Sequence, residues 1–285
     1  AMLYAAARLI PEKDRICGDV YVSGTVNEEQ FEGVAFGEVL RRTRPDLVII
    51  GEASEMKLKI GQRGRTEIKA EAFGKGAHSS NPQLGKNAVY TMMDYLALLR
   101  KSSVRKDDFL GEGISELTDI ASAPYPGASV LPYCCTATID RRLLCGETRE
   151  SVLADYYDVL NILKKSDPGA EMKISVAYGR EKTYTGRTIE GDRFFPAWRL
   201  PEDAAPVQTV AQSIRTSGFP VEIGKYSFCT NGSMSAGELE IPTLGFGPGE
   251  EGLAHTDDEY VRTDELTDAC RVYAQIIRDW MGKDR

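Results

Sequence analysis

The stretch Arg65-Thr66-Glu67-Ile68-Lys69-Ala70-Glu71-Ala72-Phe73 alternates polar or charged side chains with apolar ones. A period of two predicts a β-strand with one buried face and one solvated face. In Asn87–Arg100 the apolar residues recur instead at helical spacing, which predicts a helix. The patterns that follow predict two strands, a helix and a strand, over Ile114–Ala121, Val130–Leu144, Thr148–Lys165 and Met172–Tyr178. The order β-α-β-β-α-β is typical of a ferredoxin-like antiparallel sheet, so we predict an α+β domain over residues 61–178.

The sequence on both sides of this domain is of the α/β type. Leu47-Val48-Ile49-Ile50 is a continuous apolar run that ends at Gly51-Glu52, and it predicts a strand buried on both faces. Asp19–Val26 alternates and also predicts a strand. The other expected elements are helices at Ala1–Ile10, Phe31–Arg42, Ala205–Ser217 and Thr263–Met281 and a strand at Ile241–Phe246. We therefore predict a discontinuous α/β domain, formed by residues 1–60 and 179–285, that carries the α+β domain as an insertion.

The composition is that of an ordinary globular protein, with 42% hydrophobic and 27% charged residues. The net charge of −8 disfavours contact with a phosphate backbone, so we expect no nucleic-acid partner. No apolar run is long enough to cross a bilayer, and we expect no membrane partner. The six cysteines contain no Cys-x-x-Cys pair, which favours reduced thiols in a cytoplasmic protein over a zinc site or a disulfide framework.

The chain contains only two histidines, His78 and His255, and both lie in glycine-flanked segments expected to be loops. A lone histidine is usually a structural residue. Loops that follow strands, however, often carry function, and His255 shortly follows the strand expected at 241–246, where an open α/β sheet forms its crevice. Both interpretations stay open on the residues alone.

A group of carboxylates is expected at the same edge of the sheet. Glu28 and Glu29 follow the strand expected at 19–26, and Glu52 follows the strand at 47–50. If these strands are parallel, the three carboxylates lie close to His255. Together they form a set of ligands suited to zinc, manganese or cobalt. A further carboxylate beside a metal suits a general base. Alternatively, Glu28 and Glu29 only begin the next helix, whose dipole favours negative charge, and the spacing does not decide between the two.

Five blocks of the sequence, in order, resemble the signature blocks of the M20 family of metallopeptidases and deacylases. They are Glu28-Glu29, Gly51-Glu52, Gly74–Pro82 with Gly85–Ala88, Asp140-Arg141-Arg142, and Phe246–Glu259. The family includes aminoacylases, acetylornithine and succinyl-diaminopimelate deacylases, and glutamate carboxypeptidases. Gly24–Glu29 is most similar to a branch of selenium-metabolism hydrolases. The resemblance extends over nearly the whole chain.

The resemblance implies a zinc-peptidase-like α/β catalytic domain with a mixed sheet and an inserted ferredoxin-like lid, through which the protein forms a homodimer. It also implies two divalent metal ions, zinc first, with cobalt or manganese as alternatives. By the match, Glu28 is the general base that activates the water bridging the metals. Glu29 and His255 would bind one metal, and Glu52 would bind the other.

Three further roles follow from the same match. His78, in the lid, would stabilise the oxyanion, either in its own subunit or in the partner subunit. Arg142 would bind a substrate carboxylate in a bidentate fork, with Arg141 facing the other way on its strand; alternatively, both arginines are surface or ion-pair residues. Asn231 lies in Cys229–Met234, where the family has a Gly-Gly-Thr-Ser-Asp-Ala loop, and is expected to contact the substrate.

One family motif has no counterpart. The first metal ligands of the family are a His and a bridging Asp in a His-x-Asp motif, and both histidines of this chain are already assigned. The first expected helix also lacks a preceding capping residue. We therefore expect that an N-terminal segment with two ligands is missing from this chain, and that the residues present form an incomplete site.

The residues and the resemblance together predict a metal-dependent hydrolase. Its substrate would be an N-acyl or N-carbamoyl amino acid, or a small peptide-like metabolite, with a carboxylate that Arg142 binds. The alternative is a catalytically inactive binding or regulatory member of the same fold. A third hypothesis, a cysteine-dependent hydrolase, would require sensitivity to thiol alkylation together with insensitivity to chelators.

Overall fold

A computed structural model describes residues 1–282 of the chain, which form two compact units. The first unit comprises Ala1–Arg63, Lys182–Ile189 and the chain from Ala197 onward; the second comprises Gly64–Glu181 and Glu190–Pro196. The sequence predicts that Glu190–Pro196 belongs to the first unit, whereas the structure has this segment in the second. Its Phe194 and Phe195 pair with strand residues of the second unit in antiparallel register, which attaches the segment to that unit.

The helices are α1 (Met2–Arg8), α2 (Val34–Thr43), α3 (Ala88–Leu99), α4 (Arg149–Ser166), α5 (Ala205–Thr216) and α6 (Thr263–Met281). Short 3-10 turns lie at Ile10–Arg15, Pro82–Leu84 and Glu251–Leu253, and a π-helical turn lies at Ser233–Glu238. The strands are β1 (Val48–Ile50), β2 (Leu58–Gln62), β3 (Gly64–Phe73), β4 (Lys106–Asp107), β5 (Gly111–Glu112), β6 (Ile114–Ala123), β7 (Cys134–Leu143), β8 (Glu171–Val176), β9 (Tyr178–Lys182), β10 (Thr188–Asp192), β11 (Phe194–Phe195), β12 (Trp198–Arg199), β13 (Ile223–Tyr226) and β14 (Thr243–Gly245).

The second unit has the predicted ferredoxin-like fold. Its main strands lie in the order β8-β3-β7-β6 with antiparallel neighbours, and β11 also pairs with β3. β3 and β7 bury alternate residues, and the buried face packs against α3 and α4 around Ile68, Met92, Ile139 and Leu160. Thr148 caps α4 in a capping box with Ser151, which satisfies backbone N–H groups that the helix itself leaves without partners.

The first unit contains the predicted mixed sheet. β1 pairs in parallel with β14, β14 pairs with β2 in antiparallel fashion, and β2 also pairs with β12 and β13. The helix α6 packs against α1 and α5. The apolar runs at 47–50 and 241–246 thus form the expected buried strands, and their parallel pairing places both carboxyl ends at one edge of the sheet.

The strand predicted at Asp19–Val26 is wrong. These residues form neither helix nor strand, and Val20, Tyr21 and Val22 are exposed. Alternation produces a strand only where a neighbouring strand supplies backbone partners, and no strand of residues 1–282 pairs with this segment. The next helix, α2, begins at Val34 rather than Phe31, because Gly33 adopts a left-handed conformation (φ 83°) that ends the preceding turns.

Two properties of the described chain concern its environment. No helix within residues 1–282 combines the length and the apolar character needed to cross a bilayer. The six cysteines are free thiols, of which Cys135, Cys229 and Cys270 are buried.

Candidate active site

Glu52 lies just beyond β1, at the edge where β1 and β14 both end. The segment that leaves β14 runs close beside it. Gly247 donates its N–H to the Ser54 hydroxyl at 2.8 Å and accepts the N–H of Met56 at 3.0 Å. A Cβ at position 247 would lie 2.3 Å from the Glu52 carbonyl oxygen, so this approach requires glycine. The segment is thereby fixed to the end of β1.

His255 lies at the far end of the same segment, in a left-handed conformation (φ 63°). Its Nε2 is 3.1 Å from Oε2 of Glu29, and both side chains are exposed. The His255 backbone N–H donates to the Glu259 carboxylate at 3.1 Å. The structure therefore brings Glu29 and His255 together, although the strand predicted before Glu28 does not form.

Glu28 is half-buried, and its Oε1 is buried with no hydrogen-bond partner. Burial, and after it the nearby carboxylates of Glu52, Glu32 and Glu29, raise the pKa of Glu28 to about 8. The backbone amide of Asn231 acts in the opposite sense. A carboxyl group that titrates near neutrality beside other acids is typical of a catalytic acid or base.

Glu52 belongs to the same electrostatic group. Burial raises its pKa, the charge of Glu29 raises it as well, and His255 lowers it. The Glu52 charge also raises the pKa of Glu28. The four predicted residues Glu28, Glu29, Glu52 and His255 thus form one coupled cluster with excess negative charge.

The residues of this cluster fit a divalent cation in two respects. Carboxylates and imidazole are the donors that zinc, cobalt and manganese accept, and the partnerless Oε1 of Glu28 together with the crowded acids favours a positive charge among them. Within residues 1–282, however, no group of three or more His, Cys, Asp or Glu side chains has the geometry of a metal site. The charge and the donor types of these residues therefore suit a divalent cation, but their positions do not form a complete ligand set.

Asn231 lies beside Glu28, in the first unit. Its Nδ2 donates to the Thr25 hydroxyl at 3.0 Å, and its Oδ1 accepts the N–H of Gly33 at 2.8 Å. The contact with substrate that the sequence predicts for Asn231 stays a prediction. The sequence did not indicate that the Asn231 side chain bonds to Thr25 and Gly33.

A buried ion pair that the sequence analysis missed holds the His255 segment. Lys59, on β2, forms a salt bridge with Glu251, and both side chains are largely buried. Glu251 also accepts hydrogen bonds from the Ser227 hydroxyl at 2.8 Å and from the Ser227 N–H at 3.2 Å. The available signal was the lysine itself, which interrupts the apolar stretch of Leu58-Lys59-Ile60. A buried lysine requires a buried anion.

A second missed group lies beneath the Asn231 loop. Gln62 is fully buried, donates to Ser233 Oγ at 3.0 Å and accepts from the Thr230 hydroxyl at 2.7 Å. The Gly232 N–H donates in turn to Thr230 Oγ1 at 3.0 Å. These bonds fix residues 230–233 to strand β2. Nothing in the local sequence indicated them, because their partners are far apart along the chain.

His78 lies in the second unit, on an exposed loop. Its Nδ1 is 2.7 Å from the Ser80 hydroxyl and 3.2 Å from the Ser80 backbone N–H. A backbone N–H can only donate, so Nδ1 accepts and the proton of the neutral ring lies on Nε2. This arrangement leaves Nε2–H as a hydrogen-bond donor, as the predicted oxyanion role requires.

Arg142 also lies in the second unit, on β7. Its Nε donates to the Asp140 carboxylate at 2.8 Å, so it forms an ion pair, as one of the two interpretations anticipated. Arg141 is buried on the opposite face and pairs with Glu147 at 2.6 Å. The two arginines therefore face opposite ways, and only Arg142 remains partly accessible.

Comparison with known proteins identifies the family. The M20 peptidase dimerisation domain matches residues 60–168, which lie almost entirely in the second unit. The chain is 32% identical over 292 residues to the uncharacterized protein YgeY of Escherichia coli strain K12, a match that covers 100% of this chain and 70% of that protein. The chain belongs to the M20 family.

Other relatives of this M20 protein are named as enzymes. Acetylornithine deacetylase of Salmonella arizonae is 24% identical over 273 residues, covering 90% of this chain and 63% of that protein. The crystal structure of aminopeptidase PepT from Bacillus cereus has a TM-score of 0.73 at 18% identity, covering 96% of this chain and 68% of that one. The structural likeness confirms the fold class. M20 proteins are hydrolases of amide bonds, both peptidases and deacylases.

Proposed function

We propose that this M20 protein hydrolyses the amide bond of an N-acyl or N-carbamoyl amino acid or of a small peptide, with Glu28 as the general base. The observation that carries the proposal is the state of Glu28. Its carboxyl group is half-buried near Glu29 and Glu52, and burial together with the neighbouring carboxylates raises its pKa to about 8. Such a group changes its protonation near the working pH, which is what proton transfer during catalysis requires.

Glu28 acts twice in the proposed reaction. It takes the proton of the attacking water, and it then delivers that proton to the leaving nitrogen. Glu29, Glu52 and His255 are the proposed metal ligands, with zinc first and cobalt or manganese as alternatives. A divalent cation held there would polarise the substrate carbonyl and lower the pKa of the water. By the family resemblance, a second cation is proposed beside the first.

The remaining roles rest on the family resemblance. His78 is proposed to donate its Nε2–H to the oxyanion, in its own or in the partner subunit. Arg142 is proposed to exchange its ion pair with Asp140 for a substrate carboxylate, and Asn231 to contact the substrate. A homodimer through the second unit is proposed because residues 60–168 match a dimerisation domain. The name of the Salmonella relative supports N-acyl amino acids as the first substrates to test.

The proposal is tested by amide hydrolysis with a panel of N-acetyl amino acids, N-carbamoyl amino acids, dipeptides and tripeptides, after loading with zinc or cobalt. Glu28→Gln is expected to lower kcat by about a thousandfold, since general acid–base catalysis contributes on that order. Glu202→Gln, at an exposed position of the same unit, is the matched control. Chelation should abolish the activity and thiol alkylation should not. A protein that is inactive on the whole panel would favour the inactive binding member, and the reverse sensitivity would favour a cysteine hydrolase.

A further inference from the structure

The segment that carries Glu28 has little regular structure of its own. Residues 26–33 form turns and bends before α2 begins, and the side chains of Phe31 and Glu32 are buried. The Phe31 N–H bonds to the carbonyl oxygens of Asn27 at 3.0 Å and Glu28 at 3.1 Å. A segment of this kind requires external restraints to hold a side chain in one place.

Asn231 supplies such restraints at both ends of the segment. Its Nδ2 donates to Thr25, shortly before Glu28, and its Oδ1 accepts from the N–H of Gly33, shortly after it. The two chain segments also pack closely, because a Cβ at Gly33 would lie 2.4 Å from the Cβ of Met234. The Asn231 side chain, about 200 residues away in the sequence, therefore binds the segment on both sides of Glu28.

Asn231 is itself well anchored. Thr230, which precedes it, donates to the fully buried Gln62 on β2, and Gln62 donates to Ser233 on the other side of Asn231. The hydrogen bonds thus run from the central sheet through Gln62 and Thr230 to the Asn231 loop, and from Asn231 to the segment with Glu28. Every bond in this series joins parts of the first unit.

We propose that Asn231 is a positioning residue, which holds the Glu28 segment in place through Thr25 and Gly33. The role in catalysis rests on the proposed function of Glu28; the restraint on residues 25–33 does not. Loss of the side chain releases both ends of the segment, and the Glu28 carboxylate then samples positions from which it cannot take the proton of the attacking water. Displacements of about 1 Å are enough to lower rates by up to about a hundredfold.

The restraint is tested by amide hydrogen–deuterium exchange with residue resolution in Asn231→Ala. The Gly33 amide, which donates directly to Asn231, is expected to exchange at least about tenfold faster, and residues 26–32 should follow. Asn161→Ala, at an exposed position of α4 in the other unit, is the control and should change neither. Unchanged exchange at Gly33 in a folded Asn231→Ala protein would overturn the proposal. This measurement requires no substrate, so it decides the matter even if the protein proves not to be a hydrolase.

The kinetic test uses Thr25, because Thr25→Val removes one of the two bonds while leaving Asn231 intact. Thr25→Val is expected to lower kcat about threefold with KM unchanged, Asn231→Ala about tenfold, and Thr25→Ser, which restores the hydroxyl, should match the wild type. If Asn231 acts only on substrate, Asn231→Ala will raise KM and Thr25→Val will be silent, which would contradict the positioning role. Thr25→Val also keeps both tests available if Asn231→Ala does not fold.

Discussion

Glu28 is a carboxylic acid in a position that disfavours its charge. Its pKa is raised to about 8 by burial and by three neighbouring carboxylates, so the metal-free folded protein holds a proton there that the unfolded chain releases near pH 4.5. A group with a raised folded pKa contributes stability that is present below the unfolded pKa and is lost as the pH rises through the folded value. The catalytic proposal and the stability of the first unit are therefore linked at a single residue.

The first prediction concerns Glu28→Gln in metal-free protein. Glutamine cannot ionise, so the variant should be more stable than the wild type by up to about 5 kcal/mol above pH 8, while the two should be equal near pH 4. Urea unfolding at both pH values measures the difference, with Glu202→Gln as the control. A variant that is equally or less stable at high pH would show that Glu28 ionises freely. Stabilisation combined with lost activity would also exclude misfolding as the cause of that loss.

At the residue scale, the sequence predicted which acids lie near one another better than it predicted their surroundings; the catalytic and metal-binding roles stay predictions. Glu28, Glu29, Glu52 and His255 were predicted as one group, and they form one electrostatic cluster. The pairing of Asn231 with Thr25 could not be predicted, because hydrogen bonds between distant segments depend on the folded path of the chain and leave no local pattern.

At the scale of elements, the buried salt bridge between Lys59 and Glu251 attaches the segment from β14 to His255 to strand β2. We expect Lys59→Met to lower the unfolding free energy by about 3 kcal/mol, because it leaves the largely buried Glu251 carboxylate without its cation. Lys57→Met is the matched control, because Lys57 pairs with Glu55 at a more exposed site and its loss should lower the unfolding free energy far less. Urea unfolding compares the two. Equal effects would show that the Lys59–Glu251 pair adds nothing beyond a surface ion pair.

Elements were predictable where their signals were complete within a short stretch. The helix α4 has a cap, an apolar face and a clear end, and the structure has it at Arg149–Ser166, within a residue of the prediction. Asp19–Val26 has only alternation, and it forms no strand. A strand depends on a partner as well as on its own pattern, and the sequence does not specify that partner.

At the scale of the whole molecule, the second unit has an open sheet edge. β6 lies at the end of the strand order, and its Ile114, Leu117 and Ile120 are exposed, as are Tyr90 and Met93 on α3. Exposed apolar groups beside an unpaired edge favour association with another chain. The order of elements in this unit was predictable, but the attachment of Glu190–Pro196 was not, since β11 pairs with a strand far along the chain.

We expect Ile120→Glu to convert the proposed homodimer into a monomer, because a charge on β6 opposes edge-to-edge pairing. Sedimentation equilibrium measures the change in mass. Ile162→Glu places the same charge on another exposed apolar position of this unit, on α4, and should leave the dimer intact. A wild-type protein that is monomeric at all concentrations, or a dimer that survives Ile120→Glu, would rule out this surface as the interface.

The zinc content of the purified protein after loading and dialysis decides whether the acidic cluster binds metal. Because the residues present form an incomplete ligand set, we expect the wild type to retain less than one zinc per chain, Glu52→Gln to retain much less than the wild type, and Glu202→Gln to equal the wild type. A carboxylate ligand cannot be replaced by an amide without loss of affinity at such a site. A wild type that retains no zinc, or a Glu52→Gln variant that retains as much as the wild type, would contradict the assignment of this acidic cluster as the metal centre of a hydrolase.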